Sequence, residues 1–406
     1  MFTSVVPVWK SRRIFLRVLS VLSVLVFQPL VFAAEPSSSD ARILAELDLE
    51  KTTSLLFLPR EEKRVAFRNI DRIMPTRPLK TGPYVHPLGS QLKDFSAVTY
   101  TLDGQTYSID QYMKNFDTMG LLIVRDDNIQ LEKYALGNDE SSLWISFSVS
   151  KSITSMLLGA AVKDGYIKSL DDPITDYLPL LKGSAYDKAS IKNVLQMSSG
   201  VAWNEDYEDP KSDVSQAGGL SGVALYSYLS KLPSESIPGE VFNYNTGETN
   251  LVGSLVRAAI GNNLATYGTT KIWKAFGMES QANWPLNAIG GTELGGCCIA
   301  ATLRDYARIG LFAMQGGVAH DGTRILPDDW MQESTTPSKG YEGYGYLWWL
   351  EKDSYSALGI FGQSISIHPA TKTVIAIHSA WPRASNAEQS KHRAALIAAL
   401  MIRLDK

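Results

Sequence analysis

Apolar and polar positions follow different rhythms along this chain. Gly120 to Arg125 (GLLIVR) is a short β-rich run, Asp126-Asp127-Asn128 is turn chemistry, and Ile129 to Leu136 alternates. Together they predict a hairpin. Towards the C-terminus come three further β-rich runs, Tyr344 to Leu350 (YGYLWWL), Ala357 to Ile367 and Thr373 to Ser379. A turn, His368-Pro369-Ala370-Thr371-Lys372, separates the last two. Glu388 to Leu404 then carries helical spacing at Ala394, Leu396, Ile397, Leu400 and Met401. Between the two β-rich regions, roughly 148–290, helices and loops dominate. The layout predicts an α+β fold: one antiparallel sheet built from both chain ends, flanked by helices, with a mainly helical domain inserted.

The N-terminus obeys another pattern. Lys10, Arg12, Arg13 and Arg17 precede an apolar run from Val18 to Phe27; Gln28 and Pro29 interrupt it, and Leu30-Val31-Phe32-Ala33-Ala34 ends in small residues. A charged start, a short apolar core and a small-residue end predict a secretory signal peptide cleaved near Ala33 or Ala34. An uncleaved anchor is the alternative. The expected organisation is a signal peptide over 1–34, an N-terminal extension over 35–95 that wraps the body, a sheet domain from 96–165 and 291–406, and a mainly helical domain over 166–290. The expected location is periplasmic or secreted in a bacterium, with membrane contact only through the export signal.

Composition narrows the function classes. With 45% hydrophobic and 20% charged residues the chain is globular rather than disordered. Its 39 Lys and Arg against 42 Asp and Glu leave no basic excess for nucleic acid. Cys297 and Cys298 are neighbours, which do not easily close an unstrained disulfide. They read as buried inert thiols.

Several common sites are absent: there is no G-x-S-x-G, no G-x-x-x-x-G-K-[ST] and no G-x-G-x-x-G after a strand. The histidines, at 86, 320, 368, 378 and 392, form no metal-spaced pair, so neither metal nor cofactor is expected. Ser-x-x-Lys occurs twice, at Ser90/Lys93 and Ser148/Lys151. Context separates them. No amphipathic run follows Ser90, whereas Ser148 opens a small, apolar stretch ending near Gly165 that reads as a buried helix. Residues i and i+3 share a helix face, so Lys151 sits beside the Ser148 hydroxyl. Burial would desolvate the amine and lower its pKa towards that of a usable base. The helix N-terminus adds N–H donors for an oxyanion.

Those residues resemble the active-site helix of the serine β-lactamase and penicillin-binding-protein superfamily. Further segments follow in that superfamily's order: Asp171-Asp172-Pro173-Ile174, Ile191 to Gly200 (IKNVLQMSSG), Phe242-Asn243-Tyr244-Asn245-Thr246, and Gly295-Gly296 with Thr302, Arg304-Asp305, Ala307-Arg308 and Gly310. The resemblance runs from Phe95 to the C-terminus and is closest to class C β-lactamases and their esterase and amidase relatives. Within those it is most similar to 6-aminohexanoate-dimer hydrolases, through Asn204-Glu205-Asp206-Tyr207-Glu208-Asp209-Pro210, Gly362-Gln363 and Ser379-Ala380-Trp381-Pro382.

The resemblance implies a β-lactamase/transpeptidase-like fold and a secreted serine hydrolase acting on a small ester or amide. Ser148 is then the nucleophile, Lys151 its base and Tyr244 a second proton carrier. The backbone N–H groups of Ser148 and Gln363 form the oxyanion hole. Tyr207, Phe361 and Gly362 contact substrate, with Gly362 letting it approach the backbone. Ile360-Phe361-Gly362 stands where relatives carry a Lys or His before Thr-Gly on a strand, so the replacement counts against β-lactam recognition. The alternatives are a DD-peptidase or β-lactamase, and a non-catalytic binding protein on the same scaffold. Oligomeric state is not legible from the sequence.

Overall fold

In the computed structural model the described residues are Met1, 38–47 and 52–405, so the expected signal peptide and its cleavage point lie outside them. The central sheet has seven strands: β1 (Gly89–Ser90), β2 (Thr118–Arg125), β3 (Asn128–Tyr134), β4 (Trp349–Glu351), β5 (Ser354–Leu358), β6 (Ser364–His368) and β7 (Thr373–Ser379). Their order is β4-β5-β6-β7-β2-β3-β1. Every pairing is antiparallel except the short β1 against β3. The junction is β7 on β2, where Ile375 faces Ile123 and Ala376 faces Leu122. Chain segments about 250 residues apart in sequence thus share the middle of one sheet.

The predicted hairpin forms at β2–β3. Arg125 pairs with Asn128 across Asp126 and Asp127, whose φ angles are 49° and 59°. A two-residue turn with both φ positive matches the strand twist, and Asp tolerates that region. Both faces of the central strands are buried. Leu122, Val124, Val374 and Ala376 face one core; Leu121, Ile123, Ile375 and Ile377 face another. The first core is closed by helices α2 (Val149–Lys163), α3 (Thr246–Ile260) and α4 (Leu303–Met314). The second is closed by α5 (Ala387–Leu404), through Leu396, Leu400 and Leu404, and by a small hairpin, Thr99–Leu102 with Gln105–Ser108. Gly310 on α4 allows the closest approach, since a Cβ there would meet Val374 at 2.6 Å and Ile365 at 2.8 Å.

Two expected strands differ. The run Tyr344–Leu350 is strand only from Trp349. Leu347 has φ 61° and donates its N–H to Leu195 O at 3.1 Å, so the segment turns inward as a plug, with Tyr344, Tyr346 and Trp348 buried. The run Ala357–Ile367 is broken at Gly359–Gln363, where β5 turns back into β6. Ile360-Phe361-Gly362 is therefore a hairpin connection rather than part of a strand.

The segment before the body docks through charge. On helix Arg60–Arg68, Arg60 and Arg64 both reach the buried carboxylate of Asp117 at 2.5 Å. Phe67 of the same helix enters a cluster with Trp144, Phe147 and Phe361. Asp117→Asn should cost about 2–3 kcal/mol, because it removes the charge from a buried acid whose two cations are only partly solvated. Thermal and urea unfolding would measure it; a change below about 0.5 kcal/mol would mean the docking is carried by Phe67 alone.

Candidate active site

The chain enters α2 through the strand Trp144–Ile145 and a tight turn at Phe147. Phe147 has φ 44°, a left-handed conformation that a bulky residue holds only under constraint. Its ring is fixed against Phe67 and Phe361, at centroid distances of 4.9 and 5.0 Å. The turn sets Ser148 at the N-cap, with its side chain making no capping hydrogen bond. Ser148 is 8% exposed and lines a small cavity of about 40 Å³ with Leu56, Phe147, Val214, Thr246 and Ile360.

Lys151 lies one turn into α2 and is buried. Its ammonium donates to Thr246 Oγ1 at 2.9 Å and to the Gly296 carbonyl at 3.1 Å, and lies 5.4 Å from the Tyr244 ring centroid. Desolvation pulls its pKa down to about 8, against an opposing pull from Glu205. Gly296 has to be glycine: a Cβ there would meet Lys151 Nζ at 3.0 Å and Thr246 O at 3.1 Å.

Glu205 is the residue that sequence reasoning missed, although it stands in the quoted loop. Its carboxylate accepts from Thr246 N–H at 3.0 Å, from Tyr207 OH at 2.6 Å, and from Thr246 Oγ1 and Trp203 Nε1. A chain thus runs from Lys151 through Thr246 to Glu205. The available signal was the replacement of the usual Asn by Thr246: a hydroxyl bonds a cation only as acceptor, leaving its proton for a carboxylate. Tyr207 is half-buried and tied to Glu205, lining both cavities of the site.

Tyr244 sits between Ser148 and an aromatic wall. It stacks on Trp349 at 5.6 Å and meets the Tyr344 ring edge-on at 6.1 Å. Burial first, then the Glu205 charge, push its phenol well above the usual tyrosine range, while the Ser148 side chain hydrogen-bonds it and pulls slightly the other way. Trp348 is buried in the core and Trp349 opens onto the site.

The β5–β6 connection corrects three expectations. Phe361 does not face the cavity: it is buried against Phe67 and Phe147, with the Lys63 ammonium 4.3 Å above its ring. Gly362 has φ 88° and lies under Trp381, whose Nε1 would be 2.2 Å from a Cβ. Its smallness serves that packing rather than substrate approach. Gln363 is buried, with Oε1 accepting from Phe361 N–H at 3.2 Å. The cavity-facing residue is Ile360, which lines the wall with Ser148. Among the described residues, neither the Ser148 nor the Ile360 N–H donates to a protein acceptor.

The alternative pair is dispersed over the surface. Ser90 is exposed on β1, and Lys93 donates to Leu404 O at 3.1 Å. Cys297 and Cys298, expected as separate thiols, bring their sulfurs into direct contact as a vicinal pair beside Gly296.

Comparison with known proteins gives this geometry a context. The family model described as Beta-lactamase matches residues 108–400. The 6-aminohexanoate-dimer hydrolase of Paenarthrobacter ureafaciens is 27% identical over 345 residues, covering 79% of this chain and 86% of that protein. A Bacillus anthracis structure assigned as a 6-aminohexanoate-dimer hydrolase superposes with a TM-score of 0.74 at 22% identity, covering 84% of this chain and 95% of that one. A penicillin-binding protein from Bacillus halodurans superposes with a TM-score of 0.57 at 16% identity, over 72% of this chain and 99% of its own. Two structures at that level of identity share the fold, and the family match extends across most of the body. The chain belongs to the Beta-lactamase family and is a serine hydrolase similar to 6-aminohexanoate-dimer hydrolase.

Proposed function

We propose that this protein hydrolyses an amide or ester through an acyl-enzyme on Ser148. The observation that carries the proposal is a pair of proton carriers beside one hydroxyl, with their pKa values pushed apart. Lys151, drawn down to about 8, is partly neutral near neutral pH and serves as base. Tyr244, held above its ordinary range, stays a phenol and serves as acid. Ser148 Oγ attacks the acyl carbon while its proton passes to Lys151 Nζ. The N–H groups of Ser148 and Ile360 receive the developing oxyanion. Tyr244 then protonates the leaving nitrogen or oxygen as its bond to carbon breaks. Water, deprotonated through the same groups, releases the acid and restores Ser148.

The similarity to 6-aminohexanoate-dimer hydrolase favours linear amides, and the tripartite N-terminus supports export to the periplasm or medium. The test is turnover of p-nitrophenyl esters, 6-aminohexanoate dimer and nitrocefin by the purified protein. Ester or dimer hydrolysis is expected. Nitrocefin as the sole substrate would favour the β-lactamase reading. Folded protein that neither turns over the panel nor reacts with a serine-directed phosphonate would be a binding protein instead.

Tyr244→Phe should lower kcat for an amide by about 10² to 10⁴ with KM little changed. A p-nitrophenyl ester, whose leaving group departs without protonation, should lose much less. Equal losses on both substrates would place Tyr244 outside the acid role.

A further inference from the structure

Beside Tyr244 the site opens into a second, larger cavity of about 450 Å³. Its walls are mostly apolar and aromatic: Tyr207, Trp349, Leu358, Ile360 and Trp381. At one end lies Arg393, from the first half of α5. Arg393 is only 9% exposed, and its guanidinium carbon lies 5.1 Å from the Trp381 ring centroid. Among the described residues no carboxylate lies within ion-pair distance of it. The acid that acts on it, Glu351 on the outermost strand β4, does so only at longer range. Desolvation is the largest influence on this group.

A buried cation without a partner is costly, and structural arginines at such depth are normally paired. Packing alone does not ask for a guanidinium here, because a Met or Leu would cover Trp381 without the desolvation cost. The other buried arginine of the sheet domain shows the contrast: Arg308 on α4 is held by Asp305 at 3.0 Å and Glu279 at 2.7 Å. Arg393 instead directs a planar donor fork into an aromatic-walled space, the geometry that receives a carboxylate bidentately.

We propose that Arg393 anchors a carboxylate carried by the leaving group of the substrate. The inference rests on the Ser148 reading only for the word "leaving". Tyr244, the proposed acid, lines this larger cavity, whereas Ser148 lines the smaller one. The scissile bond therefore lies between them, with the departing amine or alcohol on the Arg393 side. An apolar spacer running past Ile360, Leu358 and Trp349 would join the scissile atom to the carboxylate. The substrate class is an acylated ω-amino or ω-hydroxy acid, and the free acid is the first product released.

The experiment compares 6-acetamidohexanoate with N-hexylacetamide, which share the amide and spacer and differ in the carboxylate. Binding is measured by calorimetry on folded Ser148→Ala protein, so the readout does not need turnover. Hydrolysis is measured on the wild type. The acid is expected to bind about 10- to 100-fold more tightly than the neutral amide, the range for charge-assisted hydrogen bonds, and to show a similar advantage in kcat/KM. Arg393→Gln should collapse that preference to about twofold or less, and Arg393→Lys should restore part of it. Equal binding of the two probes to Ser148→Ala overturns the inference, whether or not Arg393 variants fold. A preference that survives in Arg393→Gln also overturns it. Acid-selective binding lost in Arg393→Gln, in a protein that never reacts through Ser148, would support the anchor while sinking the acyl-enzyme reading.

Discussion

Ser148→Ala should abolish covalent labelling by a serine-directed phosphonate and reduce hydrolysis by a factor on the order of 10⁶. What remains would be the rate supported by binding and oxyanion donors alone. The substitution is a clean one. The Ser148 side chain makes no helix-capping bond, so its loss removes no cap from α2. Ala keeps the backbone, including the strained turn at Phe147 and the N–H that faces the cavity. Melting temperature should therefore stay within a few degrees of the wild type, which separates loss of chemistry from loss of fold. Hydrolysis at the wild-type rate by a folded Ser148→Ala protein would show that another nucleophile acts. Ser90 is a poor replacement, because it is exposed and its Lys93 is bonded to Leu404 on α5.

The parts of this protein legible in its sequence are those set by local pattern. The β2–β3 hairpin could be read because Asp126 and Asp127 announce the turn and the flanking runs are strongly apolar. Helix α2 could be read because Ser148 opens it and Gly165, at φ 80°, follows its end. The order of Ser148, Lys151 and Tyr244 along the chain carried the resemblance to the family. What could not be read depends on contacts between segments far apart. Alternation alone does not reveal that Ala357–Ile367 breaks at Gly359, because the break is fixed by Trp381 lying over Gly362 and by Phe361 packing on Phe67 from the N-terminal segment. The same contacts turned the cavity-facing position from Gln363 to Ile360. Glu205 was in view as a member of an acidic loop, but its meaning depends on Thr246, 41 residues on, presenting both an N–H and a hydroxyl to it.

Lys151→Ala should be nearly as severe as loss of the serine, since an unassisted hydroxyl is a weak nucleophile at neutral pH. The finer test is the pH profile. Lys151 acts as base only in its neutral form. Its pKa in the folded protein is drawn down to about 8, so kcat/KM should rise with pH through about 8 with a one-proton slope, and fall away below it. The Glu205 charge opposes the desolvation and holds that pKa up. Glu205→Gln keeps hydrogen-bonding capacity towards Thr246 and Tyr207 but removes the charge. The ammonium then loses a stabilising neighbour, the folded-state pKa of Lys151 falls, and the rise in kcat/KM should move to lower pH. Two consequences run in opposite directions. More of the amine is neutral at pH 7, while each neutral amine is a weaker base, so the plateau rate should drop even as the midpoint moves. A structural role for Glu205 alone would lower the rate at every pH and leave the midpoint in place. A midpoint that stays near 8 in folded Glu205→Gln protein would therefore remove Glu205 from the electrostatics of the base and leave it as a strut for Thr246.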